Sequence, residues 1–205
     1  GQLLWFAAKP APLGDLIWAA VAAHNHQHRR TVIPVTLGAL PNSLQGLVSL
    51  CEISDGPFVA TDLFQRKFGQ PPPEDPHHLL ALIRAPSGAF VPACYAHFRA
   101  FGDICLVGGG ATDGRAFASL APEQGQSIRD AGGLFYFVLR FGFERFADRF
   151  YAFFGHCGDP RAEEVDLRAG FRHTAIDKLL IYTPKPLLEQ VERALVAKAA
   201  ALGPF

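Results

Sequence analysis

The chain has 205 residues, 49% of them hydrophobic, with 19 basic residues against 19 acidic. That length fits one domain with a core large enough to stand without staples. The even charge balance argues against a nucleic-acid surface as the main business. No apolar run reaches the roughly 20 residues that span a bilayer. The opening Gly1-Gln-Leu-Leu-Trp-Phe lacks the basic stretch of a signal peptide, so a cytoplasmic protein with no membrane partner is expected. Cys51, Cys94, Cys105 and Cys157 form no CxxC pair and read as reduced, with one or two disulfides in an exported chain as the alternative.

In chain order, Leu3 to Ala8 reads as a first strand. Leu13, Leu16, Ile17, Ala20, Val21 and His24 follow the spacing of one helical face. Thr31 to Leu37 carries Pro34 and reads as an edge strand or extended loop. Leu44, Leu47, Val48 and Cys51 are in helical register, Asp55-Gly-Pro57 breaks that stretch, and Phe58 to Phe68 is another helix. Gln70 to Pro76 is a stiff proline-rich loop. A boundary there would leave two pieces without convincing cores, so residues 1–205 are expected to form one domain with a helical insert at about 41–76. His78 to Ala85 and Phe90 to Phe101 are strands joined by a hairpin signal. Asp103 to Val107 is a strand running into the uncovered backbone of Gly108-Gly-Gly-Ala-Thr-Asp113. Arg115 to Leu120 and Pro122 to Asp130 are short helical turns, and Leu134 to Arg149 is a largely buried helix. Phe150 to Phe154 is an inner strand. Asp159 caps a helix with Pro160 in its first turn and Gly170 at its end. Phe171 to Tyr182 is a further strand, and an extra helix at about 186–203 closes the chain.

Two stretches carry a resemblance. Arg129-Asp-Ala-Gly-Gly-Leu134 opens a helix, and Asp159, Ala162, Asp166, Gly170 and Phe171 punctuate the next one at a recognisable spacing. Together with the order of strands and helices they resemble the GNAT superfamily of acyl-CoA-dependent N-acyltransferases. The resemblance implies an α+β fold in α/β/α layers, with a mixed central sheet, helices on both faces and two parallel strands splayed at the cofactor site. It implies acyl-CoA, acetyl or longer, as co-substrate, and no metal. The pantetheine amides would lie along Val107, Gly108, Gly109, Gly110 and Ala111; a register ending at Leu120-Ala-Pro122 is the alternative. The N–H groups of Ala131, Gly132, Gly133 and Leu134, with the charge of Arg129, would hold the pyrophosphate, and Asp159 is a further cofactor-binding position. Backbone N–H groups at a helix start suit an anion for independent reasons. Against that stands the plainer reading that the glycines end one helix and begin the next.

The chemistry then needs a neutral amine and a stabilised leaving sulfur. His156 ends the buried strand and Asp113 the neighbouring one, and either could take the ammonium proton. Each also has a structural reading, as a half-buried histidine and a helix cap. Tyr151 and Cys157 are further candidate proton donors for the thiolate, with Tyr151 read rather as a core residue. Many superfamily members place a tyrosine where this chain has Asp166; a carboxylate donates no proton at neutral pH unless burial raises its pKa, so Asp166 is expected to replace the tyrosine without its role. His24, His26 and His28, like His77 and His78, read as solvated rather than as metal ligands. The expected function is transfer of an acyl group to the amine of a small or apolar acceptor, with no nucleic-acid partner and a homodimer possible. The alternative is a catalytically impaired protein of the same fold that binds CoA or an acyl ligand.

Overall fold

The computed structural model describes residues 40–74 and 77–205. The strand, helix and histidine cluster expected before residue 40 lie outside them.

Seven strands form one sheet in the order β1-β2-β3-β4-β5-β7-β6. They are β1 Val48–Ile53, β2 His77–Arg84, β3 Phe90–Phe101, β4 Ile104–Thr112, β5 Ala152–His156, β6 Arg172–His173 and β7 Leu179–Tyr182. Every neighbouring pair is antiparallel except β4 and β5. The helices are α1 Gly56–Phe68, α2 Gly114–Ala118, α3 Pro122–Asp130, α4 Leu134–Phe146, α5 Pro160–Ala169 and α6 Glu189–Ala200.

The sheet is covered on both faces, which explains its long apolar runs. On one face Phe98, Val107 and Phe153 pack with Ile128, Phe137, Phe143 and Ala169 of α3, α4 and α5. On the other, Leu80, Tyr95 and Ala111 pack with Ala60 and Phe64 of α1, while Ile104, Leu106 and Phe154 pack with Leu195 and Ala199 of α6. The phenylalanine-rich α4 lies on the sheet through edge-to-face rings. Phe143 sits 6.2 Å from Phe98 and 5.2 Å from Phe153, separations at which aromatic pairs attract beyond simple burial.

Local reasons account for where the elements begin and end. Asp55 accepts from the Phe58 N–H at 2.9 Å and starts α1, with Pro57 in its first turn. The Asp-Gly-Pro stretch read as a breaker is thus a helix start. The helix expected over Leu44 to Cys51 is instead a short 3-10 turn, Asn42–Leu44, followed by β1. Val48 and Leu50 face the α4 side and Ile53 the α1 side, a strand alternation that four apolar positions had mimicked. The strand expected over Phe171 to Tyr182 is a hairpin, β6 and β7. The Thr174 hydroxyl, bonded to the Leu179 carbonyl and the Ile176 N–H, turns the chain between them. The inner strand begins two residues later than expected, and Tyr151 is exposed before it.

A candidate binding site where two strands part

Strands β4 and β5 hydrogen-bond over only four positions, Ile104–Val107 against Ala152–Gly155. Beyond them β4 continues through Gly108–Thr112 paired with β3, and β5 ends at His156 paired with Leu179. The parting has a local cause. Opposite β3 the register steps from Tyr95↔Ala111 to His97↔Gly108, so Gly109 and Gly110 together face the single residue Ala96. This is a β-bulge, which bends and twists its strand, and Gly109 supplies its left-handed φ of 64°. The glycines expected as uncovered backbone after the strand therefore lie inside β4 and steer it away from β5.

The gap opens into a cleft of about 480 Å³, lined by Val107 and the three glycines on one side and Gly155 to Asp159 on the other. That size is ordinary for a small-molecule site. The glycines are required by what packs on them. A side chain at Gly108 or Gly109 would stand 2.9 or 2.6 Å from the His97 imidazole, and one at Gly110 would stand 2.6 Å from the Phe135 ring.

Asp166 of α5 faces this cleft at 7% exposure, beside His78 the only charged or polar side chain buried so deeply among the described residues. Burial, reinforced by the nearby Glu163 charge and opposed by a hydrogen bond with Cys157, pushes its carboxyl up to about 6. The Cys157 thiol donates to the Asp159 carbonyl at 3.4 Å. Burial and the Asp166 and Glu163 charges push it up to about 11, against the Asp159 hydrogen bond. The thiol is therefore protonated at neutral pH and a poor nucleophile.

Of the residues singled out in the sequence, Val107, Gly108, Gly109, His156 and Asp159 line the cleft. Asp159 also caps α5 by accepting from Arg161 N–H at 2.9 Å. Ala111 is buried beneath α1, outside the lining. Asp113 caps α2 through the Arg115 N–H at 2.9 Å and pairs with Arg66 at 2.6 Å. Tyr151 stands at the opposite end of β5 from His156, roughly 17 Å of extended chain away, and is 61% exposed. Arg129 is turned to Gln126, at 3.0 Å. The N–H groups of Ala131, Gly132 and Gly133 are bonded to Ser127, Arg129 and Ile128 carbonyls. The last two bonds form a Schellman close to α3, and Gly133 then caps α4. By helix geometry the N–H groups of Leu134, Phe135 and Tyr136 lack partners within α4, and Phe135 lies in the cleft.

Sequence reasoning missed His97, Lys67 and Arg161. The two cations line the cleft or its rim, and His97 was signalled only as the one histidine in an apolar strand run opposite three glycines. His77 and His78 are not solvated. His78 is fully buried with Nδ1 2.8 Å from the Tyr95 hydroxyl, and His77 pairs with Glu52 at 2.6 Å. Among the described residues no three His, Cys, Asp or Glu side chains come together as a metal site, and no helix is long and apolar enough to cross a membrane.

No protein-family model and no curated protein match the chain. Three solved structures to which it is similar illustrate the range. The ribosomal-protein-S18-alanine N-acetyltransferase of Escherichia coli has 11% identity and a TM-score of 0.47, with 70% of this chain and 97% of that one covered. A nucleotide-linked sugar GNAT has 11% identity and a TM-score of 0.43, covering 75% and 94%. The protein of a KacTA–DNA complex has 15% identity and a TM-score of 0.41, covering 73% and 99%. By its own topology, a mixed seven-stranded sheet with helices on both faces and a single parallel pair that parts, the described chain has a GNAT-like α+β fold.

Proposed function

We propose that the protein transfers an acyl group from acyl-CoA to the amine of a small or apolar acceptor, by direct attack in a ternary complex. The observation that carries this reading is the parting of β4 and β5 after four paired positions, which leaves glycine backbone along an open cleft. A pantetheine arm is a chain of amides and can lie along Gly108–Gly110 as a strand would, with its thioester near His156. The first turn of α4, from Leu134, suits the diphosphate by its N–H groups and dipole. Arg161 and Lys67 at the cleft add positive charge, and Arg129 could join by leaving Gln126.

In this reading His156 takes a proton from the nitrogen. As the C–N bond forms and the C–S bond breaks, Asp166 gives its proton to the departing sulfur. Burial keeps a fraction of that carboxyl protonated near neutral pH, and a fixed acid beside the leaving group is worth on the order of 100-fold or more. Asp113, already paired with Arg66, and Tyr151, at the far end of β5, are less suited to either role.

Calorimetric titration with acetyl-CoA and longer acyl-CoAs, followed by free-thiol release with a panel of amines, tests the reading. Saturable binding with amine-dependent thiol release is expected. Binding without release favours the impaired, ligand-binding alternative, and no binding by any acyl-CoA removes both.

A further inference from the structure

The cleft passes between the two faces of the sheet, and ionisable groups stand on either side of the glycines that line it. Asp166 and Cys157 lie on the side of α4 and α5, where Gly155 points at Phe171. His97 lies on the other side, among Phe64 and Tyr95 beneath α1. Its imidazole rests directly on the backbone of Gly108 and Gly109, the two positions where β4 turns away from β5. Any side chain there would displace it. The bulge that opens the gap is therefore also the seat of an imidazole.

We propose that His97 is the residue that takes the proton from the incoming ammonium, so that the acceptor enters from the α1 face while the thiol leaves on the α5 face. This rests on the acyl-transfer reading above. The nitrogen sheds two protons, one from the ammonium before attack and one from the tetrahedral adduct. His97 takes the first and His156 the second. The C–N bond forms, the C–S bond breaks, and the sulfur receives one proton from Asp166, which recovers it from solvent. One proton is released overall. The groups facing His97 are Tyr95 on its own strand, with its rings' centroids 6.0 Å apart, and His78 through its bond to Tyr95. Arg99 is two residues on. Helix α1 presents Phe64, with Arg66 held by Asp113 and Lys67 beyond it, and the Phe205 carbonyl lies over Gly108.

Two nucleophiles separate this role from a structural one. 2-Phenylethylamine arrives as an ammonium at neutral pH, whereas hydroxylamine arrives uncharged and needs no proton acceptor before attack. With acetyl-CoA as donor, His97→Gln should lower kcat/KM for 2-phenylethylamine about 100-fold and leave hydroxylamine within about threefold. His97→Asn, smaller in the same pocket, repeats the comparison should the glutamine variant not fold. An equal loss with both nucleophiles, or no loss with either, overturns the assignment. If the wild-type protein releases no thiol with either nucleophile, acyl transfer itself fails and this role goes with it. Acetyl-CoA binding by each folded variant, measured by calorimetry, should match the wild type, and a loss there would also overturn the assignment.

Discussion

Asp166 is a residue whose environment changes its charge near neutral pH. Its carboxyl, near 3.8 in water, is pushed up to about 6 because burial and the Glu163 charge disfavour ionisation, against the hydrogen bond with Cys157. A group whose acidity weakens on folding binds its proton more tightly in the native state, so it costs nothing below about pH 4. Its ionisation then destabilises the fold progressively as pH rises through 6. The full cost at pH 8 is about 3 kcal/mol, from roughly two units at 1.36 kcal/mol each. Asp166→Asn removes this titration. Its melting temperature should exceed that of the wild type by several degrees at pH 8, with the gap closing at pH 4, as thermal denaturation at the two pH values would register. Amine-dependent thiol release should fall in the same variant. A gain in stability coupled to a loss of turnover marks a strained functional group rather than a packing residue. An unchanged gap across pH would mean that the carboxyl titrates alike in the folded and unfolded states.

At the scale of elements, β1 is one of the two edge strands of the described sheet, and a small charge network ties it to α4. Glu52 of β1 accepts from His77 of β2 at 2.6 Å and from Arg145 of α4 at 3.0 Å, and Arg149 donates to the other nitrogen of His77 at 3.1 Å. Burial alone would raise the Glu52 carboxyl, but the His77 and Arg145 hydrogen bonds and charges outweigh it and hold the pKa below its usual value. The sign is opposite to that of Asp166. This stabilisation is present above the ordinary carboxylate pKa and is lost as pH falls through the lowered one. The side chains are about a quarter to a third exposed, so the network is worth about 1 kcal/mol. Glu52→Gln should therefore lower the melting temperature by about 2–4 °C at pH 7, with the deficit shrinking as pH falls below the ordinary carboxylate range. A deficit persisting in acid would mean that the loss lies in packing rather than charge. This network joins residues 93 positions apart in the chain, which is why His77 looked like a solvated strand end from its neighbours alone.

Over the whole molecule, what could be read from the chain was what local chemistry decides. The cap at Asp159, the stop at Gly170, the β2–β3 hairpin and the buried run of α4 all have neighbours in sequence that dictate them. The site was legible only in part, because a cleft is made by what strands fail to do. The spacing of Gly108–Gly110 suggested uncovered backbone, yet only the register step against Ala96 shows it as a bulge within β4. His97 and Asp166 come to opposite faces of that gap from strands and helices the sequence could not align. The same holds for Phe205, which α6 delivers back to the cleft. Its ring lies 6.3 Å from His156 and its carbonyl covers Gly108. It sits on the α1 and α6 side, packed against the cluster that includes Phe154 and Leu195. If acceptors enter from that side, Phe205 limits their bulk and touches little of the acyl donor. Phe205→Ala should then raise kcat/KM for a bulky arylalkylamine several-fold relative to a short alkylamine, while acetyl-CoA affinity stays within about twofold. Steady-state kinetics with the two amines and calorimetry with acetyl-CoA measure both quantities. A change confined to acetyl-CoA would place the ring against the thioester instead and reverse the assignment of the two faces.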